Sequence, residues 1–459
     1  MVSDTVTAGS AADTAHVTDT NRGGKAYRFY VVFVLFIAYT FSAIDSRILT
    51  LLVIPIQDDL QLTDFQMSLL QGFAFALLYS LSAIPIGRIV DGTSSRVRLM
   101  TGGVGFWSFM TIICGLSNSF GALFFARVGV GVGEATLSPS AYSVISDYFD
   151  RTRRALAISF YAIGYSVGGG LALILGAVLL DYFTASGGAD FWILGKLAPW
   201  QAVFVCVGLP GFIIMLMVAT IREPVRRELA TGYDASIPLK IVWQYLVEHW
   251  RVYGMLIGSL ALIAMVAFGT ALWYPTFLMR TYGMSPGAVG ATYGAIMIIG
   301  GTSGTLCGGW LSGWLMRRGR TDANMSIVLG TTILKGLPLI LSPLMPTPFL
   351  ALSLMAIGTF IGQAAQGVML SAIQDVTPNQ MRGQVTALSL LSVNLIGLGL
   401  GASFVAAITD FGFGDPMAVR YSISIAGAVI LPIIVIVILL GMPHYRAALA
   451  NISRASEAS

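Results

Sequence analysis

Twelve apolar runs follow one another along the chain, at roughly 28–56, 65–90, 97–117, 121–146, 155–182, 199–221, 252–279, 286–316, 325–345, 348–374, 383–409 and 419–442. Each is close to or above the roughly 20 residues that a helix needs to cross a bilayer. Polar residues are confined to short connections between them, which predicts an all-α membrane protein of twelve transmembrane helices. The longest polar connection, REPVRRELATGYDASIPLK at 222–240, separates six runs from six. The expected organisation is an N-terminal tail (1–27), a six-helix bundle (28–221), a linker (222–251), a second six-helix bundle (252–442) and a C-terminal tail (443–459).

Composition reinforces this pattern. The 459 residues are 56% hydrophobic and only 10% charged, against about a quarter charged in soluble domains. The first 24 residues are small and polar, and a disordered tail is expected there. The first apolar run is too long and begins too late for a cleaved signal, so it is expected to remain as a span. Cys114, Cys206 and Cys307 all fall inside runs, which argues against disulfide scaffolding or a thiolate metal site. The net charge of +4 has a topological explanation and calls for no nucleic-acid partner.

With the N-terminus placed inside, 20 Lys and Arg residues fall on the inner side and only Lys196, Arg280 and Arg420 on the outer. That asymmetry predicts a multi-pass protein of the cell (inner) membrane with both termini cytoplasmic. The second half repeats the first in order. ISDYFDRTRRALA (145–157) parallels IQDVTPNQMRGQV (373–385), an offset of 228 residues, each with Asp followed by Arg seven positions later. GRIVDGTSSRVR (87–98) parallels GWLSGWLMRR (309–318) at an offset of 222. Parallel six-span repeats around a central site are the plan of major facilitator transporters.

The residues resemble that superfamily, and within it the Spinster-like group, over nearly all of 28–442. The superfamily's pattern between spans 2 and 3 appears as Gly87, Asp91 and a basic end at Arg96 and Arg98; its usual arginine is Gly92 here and its second glycine Ser94. Asp45–Arg47, FWS (106–108), RVGVGVGEA (127–135), ISDYF, FYAIGYSVGGG (160–170), REP (222–224), LWYPTFL (272–278) and the Pro378-to-Arg382 turn follow the Spinster-like order. Ser46 splits the family's adjacent Asp-Arg and turns Arg47 about 100° from the expected face. The usual Trp-Arg before span 6 is Trp200–Gln201, and Gly313 stands for the second-half aspartate. The resemblance implies the major facilitator fold, with spans 1, 4, 7 and 10 lining a central cavity. It also implies transport of an amphiphile such as a lysophospholipid or sphingolipid, with proton coupling. Asp91 with Arg96, Arg98 or Arg154 is implied as the brace of the cytoplasmic gate; the alternative is a solvated loop charge.

A charge inside a span costs about 2.5–3.5 kcal/mol on insertion scales, so it faces a cavity or a partner. The first half holds Asp45, Arg47, Arg127 and Glu134 within spans, the second only Lys335. At 1.5 Å per residue, Asp45, Arg47 and Arg127 share the outer half while Glu134 lies near the midplane. Asp45 is the expected counter-ion of one or both arginines. Arg127 and Glu134 lie within about 20° of one helix face but roughly 10 Å apart along it, which disfavours a direct pair. A carboxyl group withdrawn from water holds a proton more readily. We therefore assign proton coupling to Glu134 and Asp45 and substrate binding to Arg47, Arg127 and Glu134, against the alternative of a static ion-pair cluster. Trp273 and Tyr274, before Pro275, are further cavity candidates or interfacial anchors. Gly129 and Gly133 form a close-packing surface, as do Gly164, Gly168, Gly169 and Gly170, and Gly397, Gly399 and Gly401, with hinge action as the alternative. Lys335 is expected to snorkel toward a lipid head group.

Enzymatic readings find no support. His16, His249 and His444 lie outside the spans, and no HExxH or GxxxxGK[ST] sequence occurs. No cofactor or metal is expected. The expected partners are an amphiphilic small-molecule substrate, protons and membrane lipids, acting on a monomer. A small organic anion or drug is the alternative cargo, and a scramblase or channel-like facilitator the alternative class.

Overall fold

The structure, a computed structural model, describes residues 24–93, 95–149, 151–191, 195–224, 238–378 and 380–457. The tail through 23 and much of the expected linker (225–237) lie outside the described residues, as does the side chain of Asp91. Among the described residues, twelve helices are long and apolar enough to cross a membrane: Lys25–Leu51, Asp64–Ser82, Arg96–Gly115, Phe120–Tyr148, Leu156–Ala185, Pro199–Ala219, Trp250–Tyr282, Pro286–Arg317, Ala323–Leu344, Pro348–Asp375, Arg382–Phe413 and Pro416–Asn451. They are numbered spans 1 to 12. The even number puts both ends of the chain on one face, the terminal face, opposite a far face. A short antiparallel ribbon, Ala189–Phe191 with Gly195–Leu197, joins spans 5 and 6 at the far face.

Within the first half, span 1 packs on span 5, span 3 on spans 4 and 6, and span 2 on span 4. The second half matches this with span 7 on span 11, span 9 on spans 10 and 12, and span 8 on span 10. The two bundles meet through spans 5 and 8 and spans 2 and 11. One apolar core joins the first bundle to the far-side ends of spans 7, 8, 10, 11 and 12, through Trp273, Phe277, Val289, Met355, Val405 and Ile423. A separate core serves only the second bundle, toward the terminal face, around Tyr253, Leu256, Ile373, Ile434 and Tyr445. The bundles are therefore fused at the far face and have distinct cores at the terminal face.

Several spans are interrupted, and the interruptions have causes. Span 4 breaks after Glu134 and resumes at Leu137. Pro139 carries no N–H to return to the Ala135 carbonyl, and its ring crowds that turn. Spans 2 and 11 each contain a π-helical stretch, Leu69–Phe73 and Val393–Leu400, and these stretches pack on each other. Gly72 permits the approach, because a Cβ there would collide with the Leu398 carbonyl oxygen. Helix also continues past the expected end of span 12, through Pro443, to Glu457.

The internal repeat reaches the side chains. Near the terminal face of the first bundle, Arg96 pairs with Asp147 at 2.5 Å. At positions shifted by 228 residues, Asn324 donates to Asp375 at 2.8 Å. The second half thus keeps the contact but replaces the ion pair with a neutral donor. Ser312 completes it by donating to Asn324 Oδ1 at 2.6 Å.

Candidate functional site

Four in-span charges of the first bundle form two groups. Asp45 and Arg127 are both fully buried, with Arg127 Nη1 3.9 Å from Asp45 Oδ1. Thr111 of span 3 donates to Asp45 Oδ2. Arg127 also donates to the main-chain carbonyls of Asp45 and Ser46, each at 3.4 Å, and its guanidinium lies 5.9 Å from the Phe75 ring centroid. Deeper along the same face of span 4, Glu134 Oε2 accepts from Ser42 at 2.6 Å, while Oε1 is buried with no hydrogen-bond partner among the described residues. Arg127 and Glu134 thus both address span 1 at different depths, without pairing to each other.

Arg47 faces elsewhere. The extra residue Ser46 turns it from Asp45 toward the seam between bundles. There its guanidinium lies 5.6 Å from the Tyr165 ring of span 5 and 5.5 Å from the Phe268 ring of span 7. Its one described hydrogen bond is from Nη2 to the Tyr165 hydroxyl at 3.3 Å, and no carboxylate pairs with it among the described residues. Tyrosines continue the lining: Tyr39 stacks on Tyr161 at 4.5 Å and meets Tyr165 at 5.5 Å, and Tyr142 sits edge-on to Tyr161. Ser138 and the Tyr161 hydroxyl are hydrogen-bonded at 3.2 Å. This phenol cluster is missing from the sequence-based site. The i, i+4 spacing of Tyr161 and Tyr165 in FYAIGY was its one visible trace.

Three expected substrate contacts are enclosed in this conformation. Arg127 is enclosed by Asp45, Ser46 and Phe75, leaving no open face for a head group in this conformation. Trp273 is fully buried and donates from its indole to the Ala402 carbonyl at 2.9 Å. Tyr274, equally buried, is held by Ser342 and by the Ala351 carbonyl at 3.0 Å. Their hydrogen bonds stay within the second bundle, and both rings pack in the core that joins the bundles at the far face. Lys335 does not snorkel: it lines a small pocket with Ile263, Thr331 and Thr332, packed against Gly362. Gly362 is the position that the 228-residue offset matches to Glu134.

At the terminal face, Arg96 is the organising cation. It bonds Asp147, Ser143 at 2.7 Å, Glu223 at 2.9 Å and the Pro224 carbonyl at 3.0 Å. Glu223 also accepts from the Val97 N–H at 2.8 Å, tying the segment after span 6 to span 3. Arg154 donates to the Ser146 carbonyl at 3.0 Å, and Arg98 is exposed. Of the expected gate residues, Arg96 is a buried brace partnered by Asp147 and Glu223, while Arg98 is exposed.

The far face carries a latch that the sequence did not reveal. Arg280, at the end of span 7, forks onto both oxygens of Asp64 at 2.7 and 2.8 Å and also donates to Gln57 Oε1 at 2.8 Å. Asp410 of span 11 accepts from the Phe65 N–H at 2.7 Å, and Ser68 bonds Ser403 at 3.1 Å. Every one of these contacts crosses between the bundles.

This fold, with its halves closed at one face around a charged centre, defines a class of membrane carrier. The sequence profile of the Major Facilitator Superfamily matches residues 35–402, and the chain belongs to that superfamily. It is a multi-pass transporter of alternating-access fold rather than an enzyme, and it is Spinster-like. A bacterial homologue of the human lysosomal transporter Spinster, solved inward-facing and unoccupied, is 27% identical with a TM-score of 0.74, covering 93% of this chain and 98% of that one. Drosophila melanogaster protein spinster is 25% identical over 406 residues, 83% of this chain and 62% of that protein. An MFS-type efflux pump of Mycolicibacterium smegmatis is 25% identical over 409 residues (87% and 88% of the two chains). The probable L-galactonate transporter of Escherichia coli is 24% identical over 423 residues (88% and 87%).

Proposed function

We propose that the chain is a proton-coupled carrier of the cell (inner) membrane, with cytoplasmic termini, that moves an amphiphile bearing an anionic head group. The observation that carries this reading is Arg47. It is the in-span cation at the seam of the two bundles, faced by aromatic rings from both and without a carboxylate partner among the described residues. A carboxylate or phosphate there would gain charge-assisted hydrogen bonds, and the rings beside it would pack an apolar body. Glu134, with one free carboxyl oxygen near the midplane, is the proton station; Asp45 holds Arg127 in place and tunes that station by its charge. Closure at the far face corresponds, with cytoplasmic termini, to an inward-facing state.

A second reading is transport of a small polyhydroxylated organic anion. The named substrates of relatives in Escherichia coli, galactonate and hexuronate, favour it, as do the phenol hydroxyls near Arg47. Thermal-shift measurements with lysophospholipids and with sugar acids distinguish the two. The expected result is stabilisation by the lysophospholipid series, lost in Arg47→Ala, with apparent affinity reduced at least about tenfold, since hydrogen bonds to charged groups are worth about 1.5–3 kcal/mol. Stabilisation by sugar acids alone would establish the second reading, and an unchanged Arg47→Ala response would remove Arg47 from the site.

A further inference from the structure

The helix Leu239–Glu248 (LKIVWQYLVE) ends at His249, and span 7 begins at Trp250. Val242 and Leu246 are buried in the core of the second bundle near Tyr253 and Val385. At 100° per residue they sit inside an apolar face of about 240°, which runs on one side through Tyr245 and Ile241 and on the other through Leu239, Trp243 and Val247. This second part of the arc is bare: Leu239 is 71% exposed, Trp243 61% and Val247 54%. Lys240, Gln244 and Glu248 bound the arc on its polar side. Trp250, 64% exposed, stands just after the break, with the Arg251 guanidinium 5.8 Å from its ring centroid. The same face of the molecule repeats this pairing at the end of span 8, where Arg318 lies 3.8 Å over the Trp314 ring.

We propose that Leu239–Glu248 lies in the head-group layer of the membrane as an interfacial anchor, seating Leu239, Trp243 and Val247 at the boundary of the acyl chains. Three observations select lipid as the occupant. The bare arc adjoins the start of a membrane span, so the lipid-facing surface continues onto it. Its centre is a tryptophan, and tryptophan is enriched at the membrane interface because its ring is apolar and its N–H polar. Lys240 and Arg251 flank it with positive charge, suited to anionic head groups. Because its buried stripe packs on spans 7 and 11, the anchor moves with the second bundle and fixes the end of the connection between the halves at the membrane surface.

The test uses the full-length protein in nanodiscs of phosphatidylcholine and phosphatidylglycerol. Spin labels are placed singly through Trp243→Cys, Val247→Cys, Gln244→Cys and Glu248→Cys after replacement of the native cysteines. Labels at 243 and 247 are expected to favour collision with oxygen over an aqueous nickel chelate by about threefold relative to those at 244 and 248, as a helix lying at the interface requires. Equal chelate access at all four positions would overturn the proposal. Protection of 243 and 247 from both reagents would also overturn it, by indicating a protein cover. Should the cysteine-free background fail to fold, lipids brominated near the head group provide the readout in wild-type background. They are expected to quench wild-type fluorescence more than that of Trp243→Phe; equal quenching contradicts the anchor.

Discussion

Asp45→Ala is expected to be among the most destabilising single substitutions in the first bundle, at roughly 3–5 kcal/mol, because it strands a buried guanidinium. Arg127 is wholly enclosed, and its other partners are two carbonyls at 3.4 Å and the Phe75 ring. A buried pair adds little over well-packed apolar residues, whereas half a pair is costly. The double variant Asp45→Ala/Arg127→Met is therefore expected to recover most of the loss. Thermal unfolding in detergent measures both. If the double variant were no more stable than Asp45→Ala, the pair would not be the source of the cost.

Arg280→Ala is expected to release the far face. It removes the fork on Asp64 and the bond to Gln57, each a contact between bundles. Losing about 2–3 kcal/mol from the closed state alone would change the closed-to-open ratio roughly 30- to 150-fold. The contact of Asp410 with the Phe65 N–H remains, so the fold itself should survive. A cysteine introduced at Ser403, only 9% exposed at the seam, reports the change. A membrane-impermeant thiol reagent applied to the far face should label Ser403→Cys slowly alone and much faster with Arg280→Ala. Identical rates would show that Arg280 does not hold the face shut.

These two predictions also mark what the sequence made legible. The twelve spans, the Asp45–Arg127 pair and the separate depths of Arg127 and Glu134 follow from apolar run length, the cost of charge in lipid and the pitch of a helix. Each depends on local spacing or on an unusual residue in an apolar run. Arg280 and Asp64 are 216 residues apart and sit at span ends, where charged residues are ordinary, so nothing local links them. The Arg96–Asp147–Glu223 brace was half visible: the basic end was recognised, but its acids lie in motifs read for other reasons. Trp273 and Tyr274 were read as cavity residues because span 7 lines the cavity. Each span also has a packed face, and theirs is that one. Ser46 had the opposite fate. This one inserted residue splits a motif, and its 100° turn explains why Arg47 reaches the seam while Asp45 stays with Arg127.

We propose that roles separate along span 4: Arg127 is held by Asp45, and Glu134, whose Oε1 has no hydrogen-bond partner among the described residues, exchanges the proton. Uptake into proteoliposomes under an imposed pH gradient tests it most directly, comparing wild type with Glu134→Gln. The amide keeps the contact with Ser42 but cannot take up and release a proton. The account predicts that gradient-driven accumulation disappears in Glu134→Gln while exchange of substrate at equal pH continues. Accumulation that still follows the pH gradient in the variant would contradict it.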